Sequence, residues 1–165
     1  MTYTAESTKI FISSDPNAVA ATTAQFKTLT VDEQLAVLWY IYTKMGRSVT
    51  PAAPGAARLQ LAEGLLNDIK QMSQQAQLQF MRDLASGKNT PITRAYGVLG
   101  TNTKLAFWYQ LAEWMQEGYV VPMPSFYQLS TFCSQVLTTI EQLDFGQQIT
   151  VLRNIVANMG VDPLA

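Results

Sequence analysis

Histidine is absent from all 165 residues of this chain. That excludes serine–histidine hydrolytic chemistry, histidine-ligated metals and the commonest general base of enzymes. A single cysteine, Cys133, cannot form an internal disulfide. With no histidine beside it, no zinc or iron–sulfur ligand set is available. The lone thiol fits a reducing compartment, and the expected location is cytoplasmic. Charge is scarce as well, at 14% of residues with a net charge of −1. There is no basic field for nucleic acid and no polybasic membrane anchor. No apolar run approaches the roughly 20 residues of a membrane span, so no transmembrane segment is expected. The opening MTYTAESTKIFISSDP lacks the basic start and apolar core of a secretory signal. Glycine-rich phosphate loops are missing too: AAPGAA at 52–57 has a glycine but not the required spacing. The one adjacent carboxylate pair, Asp32 and Glu33, falls in a first helical turn, where cap and macrodipole account for it. These absences predict a protein that is not an enzyme and holds no metal.

What the chain does have is concentrated between Asn102 and Tyr127. Phe107, Trp108, Tyr109, Trp114, Tyr119, Phe126 and Tyr127 all lie there. Asn102 reads as the cap of a helix that Gly118 closes, followed by a proline-stiffened segment. Leu105, Trp108, Ala112 and Met115 share one face of that helix. The face is wide, flat and apolar enough for a long flat ligand to lie along it.

Helical punctuation continues through the rest of the chain. Residues 1–16 read as an N-terminal arm with a short helix, ended by Asp15-Pro16, and 17–165 as one helical domain. A helix is predicted over 17–28 with Val19, Thr23 and Phe26 inward. Thr30 and Glu33 form a capping box for a helix ending at Gly46. A turn over 48–54 precedes a helix over 55–72, with Leu59, Ala62, Leu66 and Ile69 inward. Ser73 caps the next helix, which stops at Gly87. Thr90-Pro91 is N-cap and N1 of a short one. Ser130 to Leu143 forms another, with Phe132, Val136, Leu137 and Ile140 inward. Asp144 and Gln147 are a second capping box, opening a last helix that Gly160 finishes. No stretch alternates with period two. The fold is therefore all-α, with eight or nine helices.

Three surfaces stand out: Leu35/Trp39/Tyr42, Leu105/Trp108/Tyr109/Met115, and Met123/Pro124/Tyr127, with Met81 and Ile149/Arg153 alongside. Trp and Tyr supply stiff contact area and Met supplies polarisable filling. Spacing alone leaves two readings open, an ordinary helical core or an apolar pocket between helices.

The stretches DEQLAVLWYIYTKMG (32–46), PGAARLQLAE (54–63), NTKLAFWYQLAEWMQEGYVVPMPSFYQLS (102–130) and GQQITVLRN (146–154) together resemble one family. It comprises the N-terminal helical domain of the cyanobacterial orange carotenoid protein and its stand-alone relatives, the helical carotenoid proteins. The resemblance implies two discontinuous four-helix bundles enclosing an apolar tunnel for a keto-carotenoid of the canthaxanthin, echinenone or 3′-hydroxyechinenone type. It implies carotenoid contacts at Leu35, Trp39, Tyr42, Met81, Leu105, Trp108, Tyr109, Met115, Met123, Tyr127, Ile149, Thr150 and Arg153. The implied function is photoprotection by quenching singlet oxygen. The alternatives are direct quenching of phycobilisome excitation and a pigment-free helical interaction module. A carrier resembling the family's C-terminal domain and the phycobilisome are the implied protein partners, with a monomer or weak dimer expected near thylakoid-attached phycobilisomes. The chain departs from the family pattern at Met123 and at Ser125-Phe126. It ends at Ala165 without the C-terminal domain of the two-domain members, so photoswitching within the chain is not expected.

Overall fold

In the computed structural model, residues 16–49 and 59–164 are described. They form eight α-helices and one 3-10 turn, with no strand among them. The helices are α1 (Pro16–Thr28), α2 (Val31–Val49), α3 (Glu63–Gln71), α4 (Gln74–Ser86), α5 (Pro91–Gly97), α6 (Thr101–Glu117), α7 (Thr131–Gln142) and α8 (Phe145–Ala157), with the 3-10 turn at Leu59–Ala62 before α3. The expected arm helix, the turn beyond Val49 and the start of the helix expected from Gly55 lie outside the described residues.

Most helix starts follow the local chemistry expected of them. The Thr30 amide donates to Glu33 Oε1 at 3.0 Å, and the Glu33 amide donates to Thr30 Oγ1 at 3.2 Å, a reciprocal capping box. Asp144 and Gln147 repeat it at α8. Ser73, Thr90 and Ser130 cap α4, α5 and α7. Gly118 ends α6 at φ 88°, a left-handed conformation that costs glycine nothing.

Three expectations are corrected. Gly46 does not end α2, which continues to Val49. A glycine stops a helix only where the backbone turns left-handed, and Gly46 is not among the glycines with positive φ. Asn102 is not the cap of α6. Gly100 takes that position in extended conformation with no side-chain cap bond, while Asn102 Oδ1 accepts from Arg153 of α8. Phe132 is exposed rather than inward, because Cys133, Val136, Leu137 and Ile140 form the buried face of α7 and set Phe132 one residue off it.

The helices pack as two groups of four, one of them discontinuous in sequence. α1, α2, α7 and α8 come from the two ends of the described chain, with α8 against α1 and α6, and α7 against α1 and α2. α3 to α6 come from the middle, with α5 against α3 and α4 and the 3-10 turn against α6. α2 also packs on α4 and α6, so the seam between the groups runs along α2, α4 and α6. α2 and α6 present Trp39, Tyr42 and Trp108 there, and the site lies on that seam.

Candidate ligand-binding cavity

A cavity of about 300 Å³ opens along the seam. Its walls are Leu35, Ala36, Leu38, Trp39 and Tyr42 of α2, Leu78 and Met81 of α4, Trp108, Ala112 and Met115 of α6, and Val121 to Pro124 with Tyr127 of the proline segment. Asp32 and Arg82 stand at its edge. The α6 contribution repeats at i, i+4 and i+7, the signature of one helical face turned to one object.

The wall is set from behind by buried polar groups. Trp108 Nε1 donates to the Tyr96 hydroxyl at 3.0 Å, and that hydroxyl donates to the Val156 carbonyl at 2.7 Å. Trp108 thus has its N–H turned away from the cavity lumen. The Tyr42 hydroxyl donates to the Leu105 carbonyl at 3.1 Å, and the Tyr42 ring meets Tyr109 edge-on at 6.3 Å. Burial pushes the pKa of both phenols, Tyr42 and Tyr96, well above the ordinary range, so both stay neutral. The proline segment is held at both ends. Gln77 is buried and donates to the Ile69 and Tyr119 carbonyls while accepting from the Val121 amide at 2.8 Å. At the far end, the Ser130 hydroxyl donates to Glu33 Oε2 at 2.6 Å. No buried side-chain nitrogen or oxygen among the described residues lacks a partner.

Of the residues singled out in the sequence, Leu35, Trp39, Tyr42, Met81, Trp108, Met115, Met123 and Tyr127 come together around this cavity. Leu105, Tyr109, Ile149, Thr150 and Arg153 do not line it. Leu105 is buried beside it and supplies the carbonyl for Tyr42. Ile149 and Arg153 share a face of α8 toward α6, where Arg153 donates to Asn102. Thr150 is exposed, its hydroxyl donating to the Gly146 carbonyl. Ala36, Leu78, Val121, Arg82 and Gln77 are not among the residues singled out in the sequence. Leu78, Met81 and Arg82 share one α4 face at i, i+3 and i+4, a legible pattern. Gln77 carried no pattern, because its role depends on the return of a distant segment.

The family described as "Orange carotenoid protein, N-terminal" matches residues 13–162. The chain belongs to that family. It is 66% identical over 149 residues to an orange carotenoid-binding domain-containing protein of a Nostoc species, covering 90% of this chain and 87% of that one. It is 49% identical to the orange carotenoid-binding protein of Limnospira maxima, covering 88% of this chain and 46% of that protein. Among solved structures, the Anabaena (Nostoc) orange carotenoid protein binding canthaxanthin superposes with a TM-score of 0.82 at 50% identity, over 89% of this chain and 48% of that one. The Anabaena (Nostoc) Red Carotenoid Protein binding canthaxanthin superposes with a TM-score of 0.76 at 41% identity, over 87% and 99%. The chain thus spans somewhat under half the length of the Limnospira and Anabaena orange carotenoid proteins.

The chemistry of the wall suits a flat apolar molecule. Aromatic rings, thioethers and aliphatic groups hold a flat polarisable molecule by dispersion and exclusion of water. Asp32, the one carboxylate at the cavity, is committed to Arg82. Among the described residues no cluster of His, Cys, Asp or Glu could hold a metal ion, and no helix is long and apolar enough to cross a membrane.

Proposed function

We propose that this chain binds a keto-carotenoid of the canthaxanthin, echinenone or 3′-hydroxyechinenone type along the α2–α4–α6 seam and protects against light by quenching singlet oxygen. The observation that carries this reading is the wall itself, with Trp39, Tyr42, Met81, Trp108 and Met115 converging on one cavity in a family whose members are named for carotenoid binding. The same residues fit the group: an apolar polyene meets ring faces and thioethers, with no uncompensated charge in its path.

A bound carotenoid supplies a conjugated system that accepts the excitation of singlet oxygen and releases it as heat. The chain's part is to bind, orient and shield. Trp39 from α2 and Trp108 from α6 offer planar surfaces, and Met81 and Met115 add polarisable thioethers to the same lining. The proline segment, with Met123 and Tyr127, closes one side. Leu105, Tyr109, Ile149, Thr150 and Arg153 are assigned, by the family resemblance, to the part of the contact beyond this cavity. α2 with 19 residues and α6 with 17 are about 28 and 25 Å long, so the seam is long enough to sheathe most of such a pigment.

The deciding experiment is a visible absorption spectrum of the protein purified from a host that makes keto-carotenoids. The expected result is a broad band to the red of the free pigment that co-elutes with the protein. A well-folded but colourless protein would overturn the reading in favour of an aromatic helical core with no pigment.

A further inference from the structure

We propose that Arg82 reads the oxygen on the ligand's end ring at the mouth of the cavity, donating a hydrogen bond to a keto or hydroxyl group while remaining paired with Asp32. This rests on the carotenoid reading and adds the residue that would sort ring-oxygenated polyenes from hydrocarbon ones.

The geometry at the mouth is well defined. Arg82 Nε donates to Asp32 Oδ1 at 2.8 Å and Nη2 donates to Oδ2 at 3.1 Å. A two-bond pair of this kind locks the guanidinium plane. It uses Nε–H and one Nη2–H, leaving three of the five N–H groups available. The side chains are 40% and 51% exposed, so those donors can be reached. On one side of the pair lies the apolar cavity, and on the other a shallow polar depression bordered by Thr30, Gln79, Asp83 and Ser86. A ring seated in the cavity therefore meets the boundary between apolar and polar surface at this point.

Three donors of the wall are already committed: the Trp108 indole to Tyr96, the Tyr42 hydroxyl to Leu105 and the Val121 amide to Gln77. Arg82 is the cation at the cavity edge, and its charge is balanced by Asp32. A neutral carbonyl or hydroxyl oxygen suits that arrangement better than a carboxylate, which would face Asp32 at close range. When the ring covers the pair it also excludes water, which strengthens the hydrogen bond, and neither charge is left buried alone.

The test offers wild type and Arg82→Met an equimolar mixture of canthaxanthin and β-carotene, then extracts and quantifies the bound pigments. Wild type is expected to enrich canthaxanthin, and Arg82→Met to lose roughly threefold to tenfold of that enrichment while total uptake stays close to wild type. Arg82→Lys keeps part of the enrichment. The double variant Asp32→Asn/Arg82→Met removes both charges, and it should match the single variant, which shows that a stranded carboxylate is not the cause. Equal pigment ratios in wild type and Arg82→Met would overturn the proposal and move recognition to Trp39 or Tyr127. Absence of any pigment from wild type would instead show up in total uptake and overturn the carotenoid reading beneath it.

Discussion

Tyr96 shows how much one buried residue decides at the cavity. It is fully buried on a short helix that contributes nothing to the lining, yet its hydroxyl sits between Trp108 and the backbone of α8. Phe107 packs edge-on against its ring at 5.2 Å, and Lys104 Nζ lies 5.2 Å from the ring centre. Burial lowers the pKa of that ammonium, opposed in part by Asp162. Tyr96→Phe keeps the ring packing and removes only the hydroxyl, leaving the Trp108 N–H buried without its partner. The expected cost is about 1–3 kcal/mol, read as a lower urea midpoint, together with a changed near-ultraviolet circular dichroism signal from a re-oriented Trp108. An unchanged spectrum and midpoint would show that the hydroxyl does not set the indole.

Among the elements, the proline segment between α6 and α7 depends on its anchors rather than on regular structure of its own. One anchor is the Glu33 carboxylate, which also closes the α2 capping box. The Ser130 hydroxyl and then the Thr30 amide hold its pKa below the ordinary value of 4.5. A carboxyl more acidic in the folded than in the unfolded chain adds stability above its unfolded value, and that stability is lost as pH falls through the folded value. Glu33 is largely solvated, so the contribution is about 0.5 kcal/mol. Thermal unfolding of wild type should therefore fall more steeply between about pH 5 and pH 3 than that of Glu33→Gln. Parallel curves would mean that the Ser130 contact adds nothing measurable. Cys133, one turn into α7, is buried, and burial pushes its thiol up to about 11; it behaves as a small apolar side chain.

At the scale of the whole molecule, the two groups of helices are joined at a second place by the segment after α8. The Gly160 amide donates to the Leu84 carbonyl at 2.9 Å, and the Val161 amide donates to the Thr93 carbonyl at 3.2 Å, so the end of the outer group is tied to α4 and α5 of the middle one. The approach is so close that a Cβ on Gly97 would fall 1.8 Å from the Val161 carbonyl oxygen. Gly97→Ala must displace backbone, not a flexible side-chain end, with an expected loss of about 1–3 kcal/mol. Hydrogen exchange should rise at Gly160 and Val161 while the α2 and α6 amides stay protected. Wild-type exchange at that segment would show that the contact yields without cost.

The division between sequence and structure follows the range of the forces involved. Helix identity, most caps and the inward faces of α1, α2, α3, α6 and most of α7 were legible, because a cap and a 3.6-residue stripe are local and need only a few neighbours. The large lining residues Trp39, Tyr42, Trp108 and Met115 were legible for the same reason. Gly46, Asn102 and Phe132 misled where a local rule met a tertiary one: Asn102 looks like a cap until Arg153 arrives from 51 residues away. Gln77 and Tyr96 left no trace in the sequence as parts of the site, and Arg82 showed its helical face but not its pairing with Asp32. Each acts through a partner 42 to 60 residues distant, or 12 for the Trp108 bond, and a polar side chain carries no periodic trace of a partner that only packing brings near. The sequence by itself determined an all-helical chain with an aromatic seam. Only the tertiary structure decided which of those aromatics share one cavity, what holds them in place and which polar pair stands at its mouth.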